Sequence, residues 1–321
     1  MKNYVLKRLL MVLPVMFGVI VIVFLIKAIT PGDPVVSMLG PESTAEERDA
    51  LREELGLNDS LGTQFVRYIG DLFHLDLGKS YKSGQPIMEE LSRRLPTSLL
   101  ITFGAIFLGM ATGVPLGVLS ALKQYSWIDN LILCITMALI SIPSFCLGLV
   151  LIYIFSVELH ILPAFGVQSW TGYILPVVVI SAATSANYAR VTRSSMLEVI
   201  RQDYVRTARA KGQTERVIVI RHILRNALVP VVNTLGNQIG VQLGGAIVVE
   251  TVFGIPGIGK YISDAIMARD YPVVQGGVLL LALIFTVVNV LIDLLYVFVD
   301  PRLKKTFANE GSKRKGVSKN G

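Results

Sequence analysis

The chain has 321 residues, 52% of them hydrophobic and 17% charged, with a formal net charge of +7 and a mean hydropathy of +0.60. Soluble chains of this length carry more charge over their surface, and here the charges gather in clusters between long apolar stretches, as in a bilayer protein. The composition argues against a soluble globular chain, and the basic excess does not by itself indicate nucleic-acid binding, because membrane proteins collect Lys and Arg in their cytoplasmic loops.

In chain order, Lys7 and Arg8 precede an apolar run from Leu9 to about Ile26. That run is too long for a signal-peptide core and no small-x-small cleavage site follows it, so it reads as an uncleaved first span. Five further segments are long enough to cross a hydrocarbon core of ~30 Å at about 1.5 Å per residue. The six lie near residues 9–29, 97–121, 129–157, 173–192, 227–251 and 274–299. Between the first two lies a long loop with helices of its own. Thr44-Ala45-Glu46-Glu47 is a capping box that opens a short helix with Leu51 and Leu55 on one face and Gly56 as its stop. An amphipathic stretch follows over 64–73. Pro86 then opens a third helix, expected to run to Leu95 and to be broken by Pro96.

The basic residues set an orientation. Lys2, Lys7 and Arg8 precede the first span, nine Lys or Arg lie between Arg190 and Arg225, and seven more follow from Arg302 to Lys319. The loop between spans three and four has none, and that between five and six has only Lys260 and Arg269. The positive-inside rule then puts both termini in the cytoplasm, since the basic residues of a long first loop do not oppose translocation. The expected fold is all-α and polytopic, with six transmembrane helices. Its parts are an N-terminal transmembrane helix (1–29), an external helical loop (30–96), a five-helix core (97–300) with a cytoplasmic loop over 193–226, and a disordered basic tail (301–321).

Within the spans, Gly109, Gly113 and Gly117 recur every four residues in the second, as do Gly236, Gly240 and Gly244 in the fifth. Such stripes let another helix backbone approach closely. The fifth span also holds Asn233, Asn237, Gln238 and Gln242, polar side chains that are costly against lipid and are expected to face the bundle or a translocation path. In the sixth, Asn289 and Asp293 lie one turn apart; Asp293 reads as a paired residue of the bundle or as an ion site.

The most informative stretch is 198–226. Ile200, Tyr204, Val205 and Ala208 form an apolar stripe at helical spacing with Arg201, Arg206 and Arg209 outside it. Gly212 ends that helix, Thr214 is placed to cap the next, and Val217, Ile220 and Leu224 supply its apolar face. The residues alone leave two readings of this helix-glycine-helix hairpin: a basic amphipathic element on anionic lipid, or a short helix that enters a groove of a soluble partner.

The run Asp203-Tyr204-Val205-Arg206-Thr207-Ala208-Arg209-Ala210-Lys211-Gly212, with Arg221-His222-Ile223-Leu224-Arg225-Asn226-Ala227-Leu228-Val229-Pro230, resembles the coupling loop of ABC importer permeases. The likeness is to the dipeptide, oligopeptide, nickel and glutathione branch. Pro31-Gly32-Asp33-Pro34, Asp76-Leu77-Gly78, Thr192-Arg193-Ser194-Ser195-Met196-Leu197-Glu198 and Val249-Glu250-Thr251-Val252-Phe253-Gly254 are similar to the same branch, and the resemblance runs from residue 1 to about 303. The family's general motif opens Glu-Ala-Ala, where this chain has Arg206, Thr207 and Ala208 before Gly212, so no contact through a Glu at that place is implied. The resemblance implies the type I importer permease fold in a bacterial inner membrane. It also implies a second homologous permease as heterodimer partner, two ATPase subunits docked on the hairpin, and an external substrate-binding protein. The cargo would be di- or oligopeptides, glutathione or a nickel chelate.

Gly254-Ile255-Pro256-Gly257-Ile258-Gly259-Lys260 nearly spells a phosphate-binding loop, but Tyr261 stands where a magnesium-ligating hydroxyl is required, so it reads as a Gly/Pro turn. ATP and magnesium are accordingly expected on partner subunits and no cofactor on this chain. His74, His160 and His222 lie in separate loops, and no metal site or catalytic residue is expected. The rival class is an autonomous ion-coupled carrier or channel using Asp293 and the polar fifth span.

Overall fold

The structure, a computed structural model, describes residues 2–29, 34–40 and 42–299, with side chains from Leu10 to Ile292 apart from Ser37. Much of the Pro31–Pro34 motif, the basic tail and the side chain of Asp293 lie outside the described residues. Thirteen α-helices are described: α1 (Lys2–Ile29), α2 (Pro34–Leu39), α3 (Ala45–Glu54), α4 (Leu61–Phe73), α5 (Ile87–Leu122), α6 (Trp127–Ser141), α7 (Ser144–Ile152), α8 (Ile174–Ile200), α9 (Asp203–Ala210), α10 (Glu215–Val217), α11 (Arg225–Val252), α12 (Ile258–Ala268) and α13 (Tyr271–Val299). Five helical segments are long and apolar enough to cross a membrane, and α6 with α7 makes a sixth if the bent pair is one span.

That pair departs from the straight span expected over 129–157. The two helices meet at a 98° bend. Pro143 is the cause: it has no N–H to continue the ladder and pushes the residue before it out of the helical region, and Ile142 sits at φ −81, ψ 120. A π-helical turn over Tyr153–Glu158 extends α7.

Pro96 does the opposite of what its type predicts. α5 runs unbroken through Pro96 and Pro115 for 36 residues, about 54 Å at helical rise, so the boundary expected at 96/97 falls inside a helix. One backbone hydrogen bond is lost at Pro96, but the turn before it is braced. Arg94 donates Nε and Nη2 to Glu90 Oε2 at 3.2 and 2.8 Å, and Ser92 Oγ donates to the Glu89 carbonyl. Tertiary packing overrides the local break. Ile87 and Leu91 are fully buried against Ile258, Ile262 and Val273. The short helices of the first loop form as expected. Thr44 caps α3 in a reciprocal box with Glu47, whose carboxyl is held below its usual range by those hydrogen bonds. Gly56 follows at φ +62.

The bundle is built on α5 and α8, which run side by side in the same direction. A side chain at Gly109 would meet Thr184, one at Gly113 the backbone of Ser185, and one at Gly117 the backbone of Ala189 and Thr192 Cβ at 2.7 Å. The glycine stripe thus puts two backbones in direct contact. In α11 the stripe is divided. Gly236 and Gly240 face Asn289 and Phe285 of α13, whereas a Cβ on Gly244 would meet nothing within 4 Å. Gly244 therefore does not serve helix packing among the described residues. Its face is open.

Gly113→Ala is expected to lower the melting temperature of the detergent-purified chain, since overpacking against backbone costs about 1–3 kcal/mol. Gly244→Ala is expected to leave it unchanged. Differential scanning fluorimetry on the two variants checks the pair.

Candidate functional site

The hairpin between α8 and α11 forms around Gly212. At φ +75 the glycine occupies the left-handed region. Its N–H donates to the Arg209 carbonyl at 2.9 Å and the Gln213 N–H to that of Ala208 at 3.4 Å, the paired bonds of a Schellman stop. Arg209 then braces the two arms, donating Nε and Nη2 to the Glu215 carboxylate at 2.7 and 3.3 Å. That contact raises the Arg209 pKa further and keeps its guanidinium charged. His222 Nε2 lies 2.9 Å from Gln213 Oε1 and ties the second arm to the turn. Thr214 stands at the cap of α10, but its hydroxyl makes no capping bond.

The hairpin is seated by its apolar side. Val205 and Ala208 of α9 pack with Ile218 and Ile223 of the second arm, Ala227 of α11, Met196 of α8 and Ala121 of α5. The second arm does not present the face that 3.6-residue spacing predicts. Ile218 and Ile223 are buried, whereas Val217 is 41% and Ile220 55% exposed. The reason is a π-helical stretch over Ile218–Leu224, in which hydrogen bonds run i→i+5 and bring residues five apart onto one side.

Of the residues expected to couple to a partner, Asp203, Tyr204, Arg206, Thr207, Arg209, Lys211, Gly212 and Arg221 are exposed, His222 is half-buried and Ala208 is buried. The outer surface thus combines Arg206, Lys211 and Arg221 with the apolar Tyr204, Val217 and Ile220. A strongly basic rim around exposed apolar side chains suits insertion into a groove better than packing on this chain's own helices.

Sequence reasoning missed the group that ties α5, α6 and α8 together near this hairpin. Asp129, at the start of α6, is 1% exposed. It accepts Arg193 Nε and Nη2 at 2.8 Å each, the Tyr125 N–H at 3.0 Å and Ser120 Oγ. One carboxylate joins the end of α5, the turn after it, and α8 one turn before Met196. Asp129 begins an apolar span, and that lone acid was the available signal.

The four polar residues of α11 separate. At about 100° per residue, Asn233 and Asn237 share one face and Gln238 and Gln242 another, roughly 100° away. Gln238 and Gln242 are each 6% exposed, and Gln242 donates to Thr184 Oγ1. Asn233, Asn237, Val241, Gly244 and Val248 form a continuous exposed face. The two glutamines, which share a face as their spacing predicts, lie in the interior of this subunit, and the two asparagines lie on its exposed face.

The near-phosphate loop also receives a physical account. A Cβ on Gly257 would strike the Glu250 carboxylate and one on Gly259 would lie 2.9 Å from Glu250 Oε2. These glycines make room for the carboxyl group of a residue of the chain itself. They open α12, a helix that no feature of the sequence reading placed between the fifth and sixth spans.

Removing one partner of a buried ion pair costs about 3–5 kcal/mol, whereas removing both leaves no orphan charge. Asp129→Ala is therefore expected to lower the melting temperature sharply, and Asp129→Ala with Arg193→Met to recover part of the loss. Thermal unfolding of both variants in detergent reads the difference.

The family model described as binding-protein-dependent transport system inner membrane component matches residues 113–305, and its N-terminal companion matches residues 1–102. Among curated relatives, the glutathione transport system permease protein GsiC of Escherichia coli strain CFT073 is 43% identical over 304 residues, 95% of this chain and 99% of that protein. GsiC of Escherichia coli strain K12 is 42% identical over the same shares, and GsiC of Salmonella paratyphi A strain ATCC 9150 is 43% identical. Among solved structures, two crystal forms of the MetNI methionine ABC transporter in inward-facing conformations share the fold. Their TM-scores are 0.57 and 0.54 at 21% and 23% identity, over 67% of this chain and 99% of those chains.

Proposed function

The chain belongs to the family of binding-protein-dependent transport system inner membrane components and is a permease subunit of an ABC importer in the inner membrane; on that premise we propose that it carries glutathione or short peptides and draws its energy from separate ATPase subunits through the Gly212 hairpin. The hairpin's geometry carries this reading. A Schellman-terminated helix pair is seated on α5, α8 and α11 by one apolar side and has Tyr204, Val217, Ile220 and a basic rim exposed on the other. A partner that grips that rim moves three long helices at once.

Glutathione leads among the cargoes because the relatives that match almost end to end are named for it. The exposed Asn233–Asn237 face of α11, with Gly244 in open space beside it, suits one wall of the pathway, closed by a second homologous permease. An external binding protein would deliver the solute. Nucleotide and magnesium belong to the ATPases, because the only loop of this chain that approaches the phosphate-binding pattern already encloses the carboxylate of Glu250.

The test is uptake by the complete complex in proteoliposomes, with its binding protein, offered labelled glutathione or a labelled dipeptide. ATP-dependent accumulation of glutathione is expected, and accumulation of the dipeptide alone would overturn the cargo assignment. Gly212→Val forces a β-branched residue into a left-handed conformation that costs about 1–2 kcal/mol even for simpler side chains. It is expected to reduce uptake by about tenfold or more while the subunits still co-purify.

A further inference from the structure

We propose that Glu250 is a positioning residue for transport, the joint through which α12 is carried by α11 and α5 at the end of the bundle away from the hairpin. The proposal rests on the permease reading above.

Glu250 lies two residues before the end of α11 and is fully buried. Its carboxylate accepts Ser98 Oγ of α5 at 2.6 Å and the Lys260 N–H of α12 at 3.0 Å. Ser98 Oγ in turn accepts the Ile258 N–H at 2.8 Å. The N-cap of α12 is Gly257, which has no side chain to satisfy the first-turn N–H groups. Two other helices supply the acceptors it lacks, the Ser98 hydroxyl from α5 and the Glu250 carboxyl group from α11. A carboxyl group at a helix N-terminus satisfies first-turn N–H groups that have no partner within the helix.

Gly257 and Gly259 press against the Glu250 carboxyl group so closely that any side chain there would displace it. Besides this joint, α12 is held by Ile258 and Ile262 against Ile87 and Leu91 of α5 and by the Arg94 guanidinium of α5 over the Tyr261 ring at 4.5 Å. After the helix, Asp270 binds Ser80 Oγ at 2.6 Å and the N–H groups of Tyr81 and Lys82 at 3.0 and 3.2 Å. Apolar contacts can slide, but a buried carboxyl group cannot leave its hydrogen-bond partners without leaving polar atoms unsatisfied. The Glu250 joint therefore sets where α12 sits relative to α11.

α11 leads out of the hairpin, its 28 residues spanning about 42 Å. The hairpin and α12 lie at its opposite ends. A displacement of the hairpin reaches α12 as motion of a rigid rod, and Glu250 is where the rod grips the helix.

The experiment uses the complete complex, wild type and with Glu250→Ala, Ser98→Ala or Glu250→Gln, in proteoliposomes offered labelled glutathione or a labelled dipeptide. Uptake, ATP hydrolysis and the mobility of a nitroxide at Met267→Cys are measured in a background with Cys134→Ser and Cys146→Ser; Met267 is 85% exposed at the end of α12. Leaving a buried polar group without its partners corresponds to about a tenfold effect. Expected for Glu250→Ala and Ser98→Ala is a fall in uptake of about that size, with hydrolysis held within about twofold and a sharper nitroxide line. Glu250→Gln keeps an acceptor for Lys260 and is expected to restore part of the uptake. Uptake and hydrolysis falling in equal proportion, or Glu250→Ala transporting like wild type, would overturn the proposal. Because mobility at position 267 is read without any solute, failure of the cargo assignment and failure of this joint are separate observations.

Discussion

Three glycines on one face of α5 let its backbone lie directly on that of α8, and the rest of the bundle is arranged on this seam. Thr184, Ser185 and Ala189 come close enough that a methyl group on Gly109, Gly113 or Gly117 would collide with them. In lipid, where burial of apolar surface between helices gains little, such close packing is the main source of association. With α5 and α8 fixed, Thr184 is placed to receive Gln242 of α11, and the apolar residues of the hairpin find Met196 and Ala121 at the seam's end. The hairpin is therefore attached at the end of the glycine seam between α5 and α8.

Charge is used sparingly inside this frame, and always as a fastener between elements. Asp129 joins α5, α6 and α8 near the hairpin, Glu250 joins α5, α11 and α12 at the other end, and Asp270 ties the first loop to the start of α13. Each is an acid satisfied by donors that lie elsewhere in the chain. Burial without those donors would cost several kcal/mol per ion, so each carboxylate specifies one arrangement of its neighbours. None of them is needed to form a helix locally.

Much of the fold was legible because its signals are local. The spans follow from apolar length, and Gly212 and the Thr44 box from turn and cap chemistry that depends on a few adjacent residues. The errors fall where distant residues decide. Pro96 was expected to end a helix, but α12 and α13 pack across that turn and hold it. Val217, Ile220 and Leu224 were expected to form the apolar face of the second arm, but the π-helical stretch turned Ile218 and Ile223 inward. At 142–143 the local rule was sufficient and went unused: Pro143 bends the third span as a proline should.

The candidate site divides in the same way. The sequence by itself determined a membrane bundle, the glycine-stopped hairpin and its basic rim, because periodicity, charge clusters and a residue that alone tolerates positive φ are properties of short stretches. Only the tertiary structure decided which polar residues of α11 face inward, what holds the hairpin to the helices, and why the glycines before Lys260 are there. Asp129 and Arg193 are 64 positions apart, and Ser98 and Glu250 152. Contacts at such separations leave no periodicity to read, since they depend on how the helices pack rather than on how each one forms.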